Sequence, residues 1–329
     1  MNKKSYTDPQ IKAINWKEGP VIVLAGPGSG KTAVLTERII RLLKETEEET
    51  FRILALTFTN KAATEMSERI AVGIDNQEKR LFIGTFHSFC SEILRNHGSY
   101  VKVKSDFNIY SSIDDLNAVI EEVKQEYCNL YPDEDIQNLK FLNVVQYFEK
   151  KLCLTPEDVD LVMPKTNYPE AFKWIYFRYL ERLSELNAVD FDMLILLTYK
   201  LFKLYPNITR IYRNMYRYIN IDEFQDTNFG QYTLIKTLCG NKNKNLFIVA
   251  DDDQVIYGWN GASHERLEDF RVDFDAELIQ LYQNFRCPVE VVELANKLIS
   301  HNQNRTANKK PLKAMKVVDD IESQHIFIK

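Results

Sequence analysis

An ammonium and a hydroxyl side by side, Lys31 and Thr32, end a stretch in which an apolar run breaks into glycines: Val21-Ile-Val-Leu-Ala-Gly-Pro-Gly-Ser-Gly-Lys-Thr32. Gly28 and Gly30 let the backbone turn its N–H groups inward as an anion nest, and a helix starting here adds the positive end of its dipole. Lys31 is then placed to reach the β- and γ-phosphates of a nucleotide, and the Thr32 hydroxyl to ligate Mg²⁺. Ala25, Gly26, Gly28, Ser29, Gly30, Lys31 and Thr32 are therefore candidate phosphate-binding residues. The strict pattern has glycine where this chain has Ala25, a replacement small enough to keep the loop. An ordinary glycine-rich turn is the competing reading, and an apolar strand before it with an amphipathic helix after it oppose that reading.

Two acids far downstream, Asp222 and Glu223, follow the apolar run Tyr216-Arg-Tyr-Ile-Asn-Ile221. Asp222 is suited to hold Mg²⁺ through its water shell, and Glu223 to orient and deprotonate the water that attacks a γ-phosphate. Most Asp-Glu pairs are plain surface residues; a phosphate loop upstream turns this one into a site. Gln254 is suited to sense the γ-phosphate through its amide, and Arg286 to approach it as an arginine finger. Phe58, Phe86 with His87, Tyr257 and Trp259 also follow strand ends, where flat rings stack on unpaired bases. Core packing is the alternative for the phenylalanines, whereas Trp259, between Gly258 and Gly261, is the least core-like.

These residues need a frame, and the chain has the pattern for one. Val21–Leu24 reads as a buried strand, and Ala33–Leu43 as a helix with Val34, Leu35, Ile39, Leu42 and Leu43 on one face and Glu37, Arg38, Arg41 and Lys44 elsewhere. Strands at Phe51–Thr59, Leu81–Thr85, Tyr216–Ile221, Leu246–Ala250 and Leu278–Leu281 alternate with helical segments such as Asn60–Arg69 and Phe86–Leu94. That alternation predicts an α/β fold with a parallel sheet, right-handed crossovers and ligands at the carboxyl ends of its strands. Tyr6–Gln10 reads as a capped helix start, with Thr7 or Asp8 as cap and Pro9 in the first turn. Between Arg95 and Asn187 helical periodicity takes over, in Ile113–Val123, Leu139–Phe148 and Phe172–Leu186, which predicts an α-helical insertion. Its aromatics, including Tyr147, Phe148, Trp174, Tyr176 and Phe177, are expected in the core.

At 329 residues the chain exceeds one typical domain. Its 42 basic against 47 acidic residues argue weakly against a surface coated in basic residues and leave room for a local groove that holds a nucleic-acid strand. Five cysteines without C-x-x-C spacing suit a reducing compartment and no structural zinc. With no signal h-region and no apolar run of membrane-spanning length, the expected location is cytoplasmic, with no membrane partner.

The motifs resemble those of the UvrD/Rep/PcrA-like helicases of superfamily 1, from Gln10 to about Arg305. The matching stretches are Ala25–Thr32, Leu56–Ala63, Gly84–Ser88, Val189–Asp192, Ile221–Asn228, Asp251–Ala262 and Gln283–Arg286. The resemblance implies a RecA-like ATP-binding domain over 1–94 and 188–284, a helical accessory insertion over 95–187, and the beginning of a second RecA-like domain over 285–329, with His325–Ile328 as its next strand. It implies ATP and Mg²⁺ as cofactors and 3′–5′ movement on single-stranded DNA, with junctions of single- and double-stranded DNA as substrates. Gln10 would read adenine and Phe285 stack on it. Phe58, Asn60, Phe86, His87, Phe191, Tyr257 and Trp259 would lie along the single-strand path, and Gln225 and Asp226 would link nucleotide to DNA, although helix capping accounts for these two equally well locally.

Ala33 and Asn260 stand where relatives carry arginines, and Val255 and Met193 where they carry Ser and an acid. The family's later motifs have no counterpart, so the chain is expected to be an N-terminal fragment that binds ATP and hydrolyses it slowly without processive unwinding. It would partner a C-terminal helicase half or an accessory protein. A nucleotide-gated regulatory module, or a subunit of a split or nuclease-associated helicase, is the alternative function.

Overall fold

In the computed structural model, residues 6–74, 78–240, 245–302 and 305–316 are described, and the expected strand at His325–Ile328 lies outside them. Their strands in chain order are β1 (Val21–Ala25), β2 (Arg52–Thr57), β3 (Leu81–Thr85), β4 (Asn108–Ile109), β5 (Ala188–Val189), β6 (Tyr216–Ile221), β7 (Leu246–Ala250), β8 (Glu277–Leu281), β9 (Gln283–Asn284) and β10 (Lys313–Ala314). Six form one parallel sheet in the order β3-β2-β6-β7-β1-β8. The fold is the expected α/β class. β1 and β7 are buried along their whole length, as strands covered by helices on both faces must be.

Two compact units divide the chain. The first comprises residues 1–85, 213–227 and 241–329 and holds the sheet. Because every pairing in that sheet is parallel, the turns after β1, β2, β6, β7 and β8 leave from one edge. Register sharpens this: Leu24 pairs with Ala250 and Ile221 with Ile248, so the glycine loop, Asp222 and Asp251 begin at neighbouring levels.

Helix Lys31–Glu45 starts two residues before the expected Ala33, because Gly30 takes the left-handed conformation that caps it. Val34, Leu35, Ile39, Leu42 and Leu43 face the core as expected. Arg38, expected off that face, is a correction: it is only 1% exposed. It stands four residues after Val34 and four before Leu42, so helical spacing puts it mid-face. Its guanidinium lies 4.6 Å from the centre of the Phe247 ring and hydrogen-bonds the Trp16 carbonyl. Burial, with Arg41 as a like-charged neighbour, pulls its pKa down to about 9.

The second unit, residues 86–212 and 228–240, is mainly helical. It contains helices Phe86–His97, Ile113–Leu130, Leu142–Lys150, Pro169–Glu185, Phe191–Leu204 and Phe229–Cys239, so positions 95 and 187 both fall inside it. Phe148 and Tyr176 are core residues, Trp174 and Phe177 are half-buried, and Tyr147 is exposed. Asp190 caps helix Phe191–Leu204 by accepting from the Met193 amide at 2.7 Å and from the Tyr179 hydroxyl at 2.7 Å. The five cysteines are free thiols. Among the described residues no helix is long and apolar enough to cross a membrane.

Candidate functional site

The glycine loop between β1 and helix Lys31–Glu45 is held by side chains from elsewhere in its unit. Gly28 and Gly30 have φ of 70° and 83°, so both sit in the left-handed region that only glycine enters freely. Space demands them too: a Cβ on Gly28 would lie 2.8 Å from Arg286 Cβ, and one on Gly30 2.9 Å from Gln10 Nε2. Ser29 is buried, its hydroxyl donating to the Gly26 carbonyl at 2.7 Å. From the turn after β8, Asn284 Nδ2 donates to the Pro27 carbonyl at 2.7 Å, and the Phe285 amide donates to the Gly28 carbonyl at 2.9 Å. The first-turn amides of a helix lack intrahelical acceptors by construction, so this loop presents donors and a positive dipole end together.

The acids reach the loop. Lys31 Nζ lies 3.1 Å from Glu223 Oε2, and the same oxygen accepts from Gln225 Nε2 at 2.9 Å. Glu223 adopts φ 48° and ψ 46°, a left-handed conformation that is costly for a side chain with a Cβ. The turn is what lets two consecutive acids leave a strand end without pointing to opposite faces. Asp222, buried at the end of β6, has its pKa raised to about 6 by burial and then by the Glu223 charge. The Thr32 hydroxyl and the Asp222 carboxylate are hard oxygen donors, the type Mg²⁺ requires, and a buried carboxylate with its pKa pushed up gains from a nearby cation.

Gln225 carries the connection onward, since its Oε1 accepts the Asp251 amide at 3.0 Å at the end of β7. It therefore bridges two strand ends and caps no helix. Asp226 is buried, with Oδ1 unpaired among the described residues and its pKa raised to about 6 by burial and then by Glu223. Gln254, four residues past β7, donates from Nε2 to Asp251 Oδ2 at 2.5 Å. Arg286 is exposed, and its Cβ lies against the loop at Gly28.

Three expected contact residues differ in their surroundings. Gln10 is buried, with Oε1 accepting the Thr7 amide at 2.9 Å and Nε2 donating to the Ser29 carbonyl at 2.9 Å, so its amide braces the loop and the first helix. Phe285 is exposed and offers a free face. Phe86 is only 4% exposed, which leaves its ring no face for a base.

Half-buried and exposed aromatics occur in each unit separately. In the first, Phe58 and Tyr257 have ring centres 4.9 Å apart, Tyr257 and Trp259 6.1 Å apart, and Trp259 is 80% exposed. Asn60 is exposed at the start of helix Asn60–Ala71. In the second, His87 lies 5.3 Å from the exposed Phe191 ring. Burial, followed by the Lys150 ammonium, pushes the His87 pKa down to about 4 from an ordinary 6.5. An imidazole depressed in the folded state contributes stability that is complete above pH 6.5 and lost as pH falls towards 4. The stability advantage of wild type over His87→Gln, measured by chemical denaturation, is therefore expected to shrink by on the order of 1 to 2 kcal/mol between pH 7.5 and 4.5. A difference independent of pH contradicts this placement of His87.

Sequence reasoning missed three contributors. Asn284 pins the Arg286 turn to the loop, accepting the Arg286 amide at 2.9 Å while donating to Pro27. Lys309 and Arg305 surround the Asp251-Asp252-Asp253 run, with Lys309 Nζ at 2.9 Å from Asp251 and 2.6 Å from Asp253. The signal available was the run itself, because three consecutive acids at a buried strand end need cations.

Residues 6–275 match the family described as the UvrD/REP helicase N-terminal domain. Among curated proteins, the ATP-dependent DNA helicase PcrA of Staphylococcus epidermidis is 37% identical over 305 residues, covering 92% of this chain and 41% of that protein. The ATP-dependent DNA helicase PcrA of Staphylococcus aureus is 37% identical over 298 residues, covering 90% of this chain and 40% of that protein. The chain thus spans about two-fifths of the length of these relatives. A glycine loop, paired acids and a glutamine at adjacent parallel strand ends, in a chain matched over most of its length, have one common explanation: this chain belongs to the UvrD/REP helicase N-terminal domain family.

Proposed function

We propose that this chain is the ATP-binding part of a DNA helicase that moves 3′ to 5′ on single-stranded DNA and acts at single-strand/double-strand junctions. The observation that carries the reading is the unbroken series from Lys31 through Glu223 and Gln225 to Asp251, which ties three strand ends into one polar network.

ATP enters with its phosphates against the Gly26–Gly30 amides and its base beside Phe285, with Gln10 bracing the loop from behind. Lys31 exchanges Glu223 for the β- and γ-phosphates, which frees the Glu223 carboxylate to orient water and accept its proton. Thr32 and Asp222 would hold Mg²⁺, whose chemistry is to neutralise phosphate charge. Arg286 stabilises charge on the transferring phosphoryl group, and Gln254 reports whether a γ-phosphate is present. Phe58, Tyr257 and Trp259, with Asn60, offer stacking and polar contacts to unpaired bases; Phe191 with His87 offers another such surface. Residues from 285 onward belong, in this reading, to a second RecA-like domain. Domain closure between two such domains moves a strand, so a C-terminal half or accessory protein completes the motor. The expected compartment is the cytoplasm, on the nucleoid when DNA is bound.

The test is linkage between the two ligands. Titrating a labelled single-stranded oligonucleotide with the 329-residue chain, without nucleotide and with a non-hydrolysable ATP analogue, is expected to give affinities differing by about fivefold or more. Equal affinities, or processive unwinding by this chain alone, would overturn the proposal.

A further inference from the structure

The three carboxylates of Asp251, Asp252 and Asp253 come within 4.8 Å of one another at a largely buried strand end, an arrangement that repels itself unless cations intervene. The cation there is part of the chain. Lys309 Nζ hydrogen-bonds all three, at 2.9 Å to Asp251 Oδ1 and 2.6 Å to Asp253 Oδ2, with Asp252 Oδ1 closer still. Arg305 adds a bidentate pair to Asp253 at 2.8 and 2.9 Å, and the Thr306 amide donates to Asp252 Oδ2 at 2.5 Å. Burial alone would lower the Lys309 pKa; the charge of Asp251, with the hydrogen bonds to Asp252 and Asp253, outweighs it and raises the pKa. An ammonium already fills the position a metal ion would take.

Asp251 is shared. One oxygen accepts Lys309, and the other accepts the Gln254 amide. The orientation of that carboxylate therefore sets where Gln254 points. The same segment continues to the turn that carries Arg286: the Lys313 amide donates to the Tyr282 carbonyl at 2.7 Å, and the Met315 amide to the Asn284 carbonyl at 2.8 Å. Immediately before Lys313, Leu312 packs against the glycine loop, where a Cβ on Gly26 would meet Leu312 Cδ2 at 2.5 Å. One strap thus touches the Gln254 turn, the glycine loop and the Arg286 turn.

We propose that Lys309 and Arg305 are positioning residues for γ-phosphate sensing, clamping Asp251 and Asp253 so that the Gln254 amide and the Arg286 turn move together. This rests on the reading of the chain as an ATP-binding motor with Gln254 as sensor. A merely structural ion cluster would alter stability without changing which nucleotide is preferred. A sensor clamp changes the preference itself.

The experiment compares affinity for ADP and for a non-hydrolysable ATP analogue in wild type, Lys309→Met, Lys309→Arg, Gln254→Ala and the Lys309→Met/Gln254→Ala pair. Lys309→Met is expected to keep ADP affinity and lose about tenfold in analogue affinity, with no further loss in the double variant, since coupled residues are not additive. Lys309→Arg is expected to restore part of the loss. An unchanged analogue-to-ADP ratio, or additive losses, would overturn the clamp. If Lys309→Met does not fold, Arg305→Gln carries the same expectation and the same refutation. A wild-type chain that binds neither nucleotide overturns the ATP reading instead. The clamp is then decided by amide exchange across residues 251–257 in the nucleotide-free chain: about tenfold faster in Lys309→Met if the strap holds the turn, and unchanged if it does not.

Discussion

Lys31→Ala is expected to lower affinity for MgATP by about a hundredfold while leaving the fold intact, since a half-buried ammonium facing the phosphates supplies charge-assisted contacts that nothing else in the loop replaces. The fold should survive because Lys31 lies at the first position of its helix, against the loop, one turn before the apolar residues Val34, Leu35, Ile39 and Leu42. The substitution also frees Glu223, whose remaining partner is Gln225. Titration with a fluorescent ATP analogue, checked against thermal melting, measures both effects. Equal affinities for wild type and Lys31→Ala would remove the nucleotide assignment.

Glu223→Gln is expected to separate binding from chemistry. The amide keeps the shape of the side chain but cannot take a proton from water, so hydrolysis should fall by roughly 10² to 10⁴-fold while ATP affinity stays within a few fold of wild type. Affinity is preserved or improved because Lys31 no longer gives up an ion pair at 3.1 Å to meet the phosphates. The left-handed backbone at residue 223 is unaffected by this change, whereas Glu223→Val would add strain at φ 48° and confound the comparison. A loss of affinity equal to the loss of rate would indicate that Glu223 binds ATP rather than activating water.

The sheet was legible because each of its strands is a short apolar run that ends in a polar cluster. Leu81–Thr85 and Tyr216–Ile221 are found at their expected bounds, the first running directly into helix Phe86–His97 and the second stopped by Asp222 and Glu223. Strand order was not legible: nothing local tells β1 to pair with β7 and β8, because that choice depends on contacts between residues more than two hundred positions apart. Arg38 shows where reading by residue type misleads. Position on the helix, four from Val34 and four from Leu42, outweighs charge, and the Phe247 ring and the Trp16 carbonyl compensate the buried guanidinium.

At the candidate site, Lys31, Thr32 and the two acids stand out in the sequence because phosphate and magnesium chemistry restrict which side chains serve. What Gln10 does was visible only in part. A capping glutamine and an adenine-reading glutamine have the same residue type in the same place, and hydrogen bonds to Thr7 and Ser29 show what holds it here. Lys309 and Arg305 were out of reach for a different reason. Lysine and arginine fit almost any surface, so their pairing with three acids more than fifty residues away emerges only once the chain folds back.

The most direct test is the rate of MgATP hydrolysis by the 329-residue chain, with and without a single-stranded oligonucleotide, beside Glu223→Gln under the same conditions. Slow hydrolysis that DNA raises by less than about tenfold, and that Glu223→Gln abolishes, is the predicted result for an ATP site with one RecA-like domain around it. Hydrolysis that persists at the wild-type rate in Glu223→Gln would contradict it.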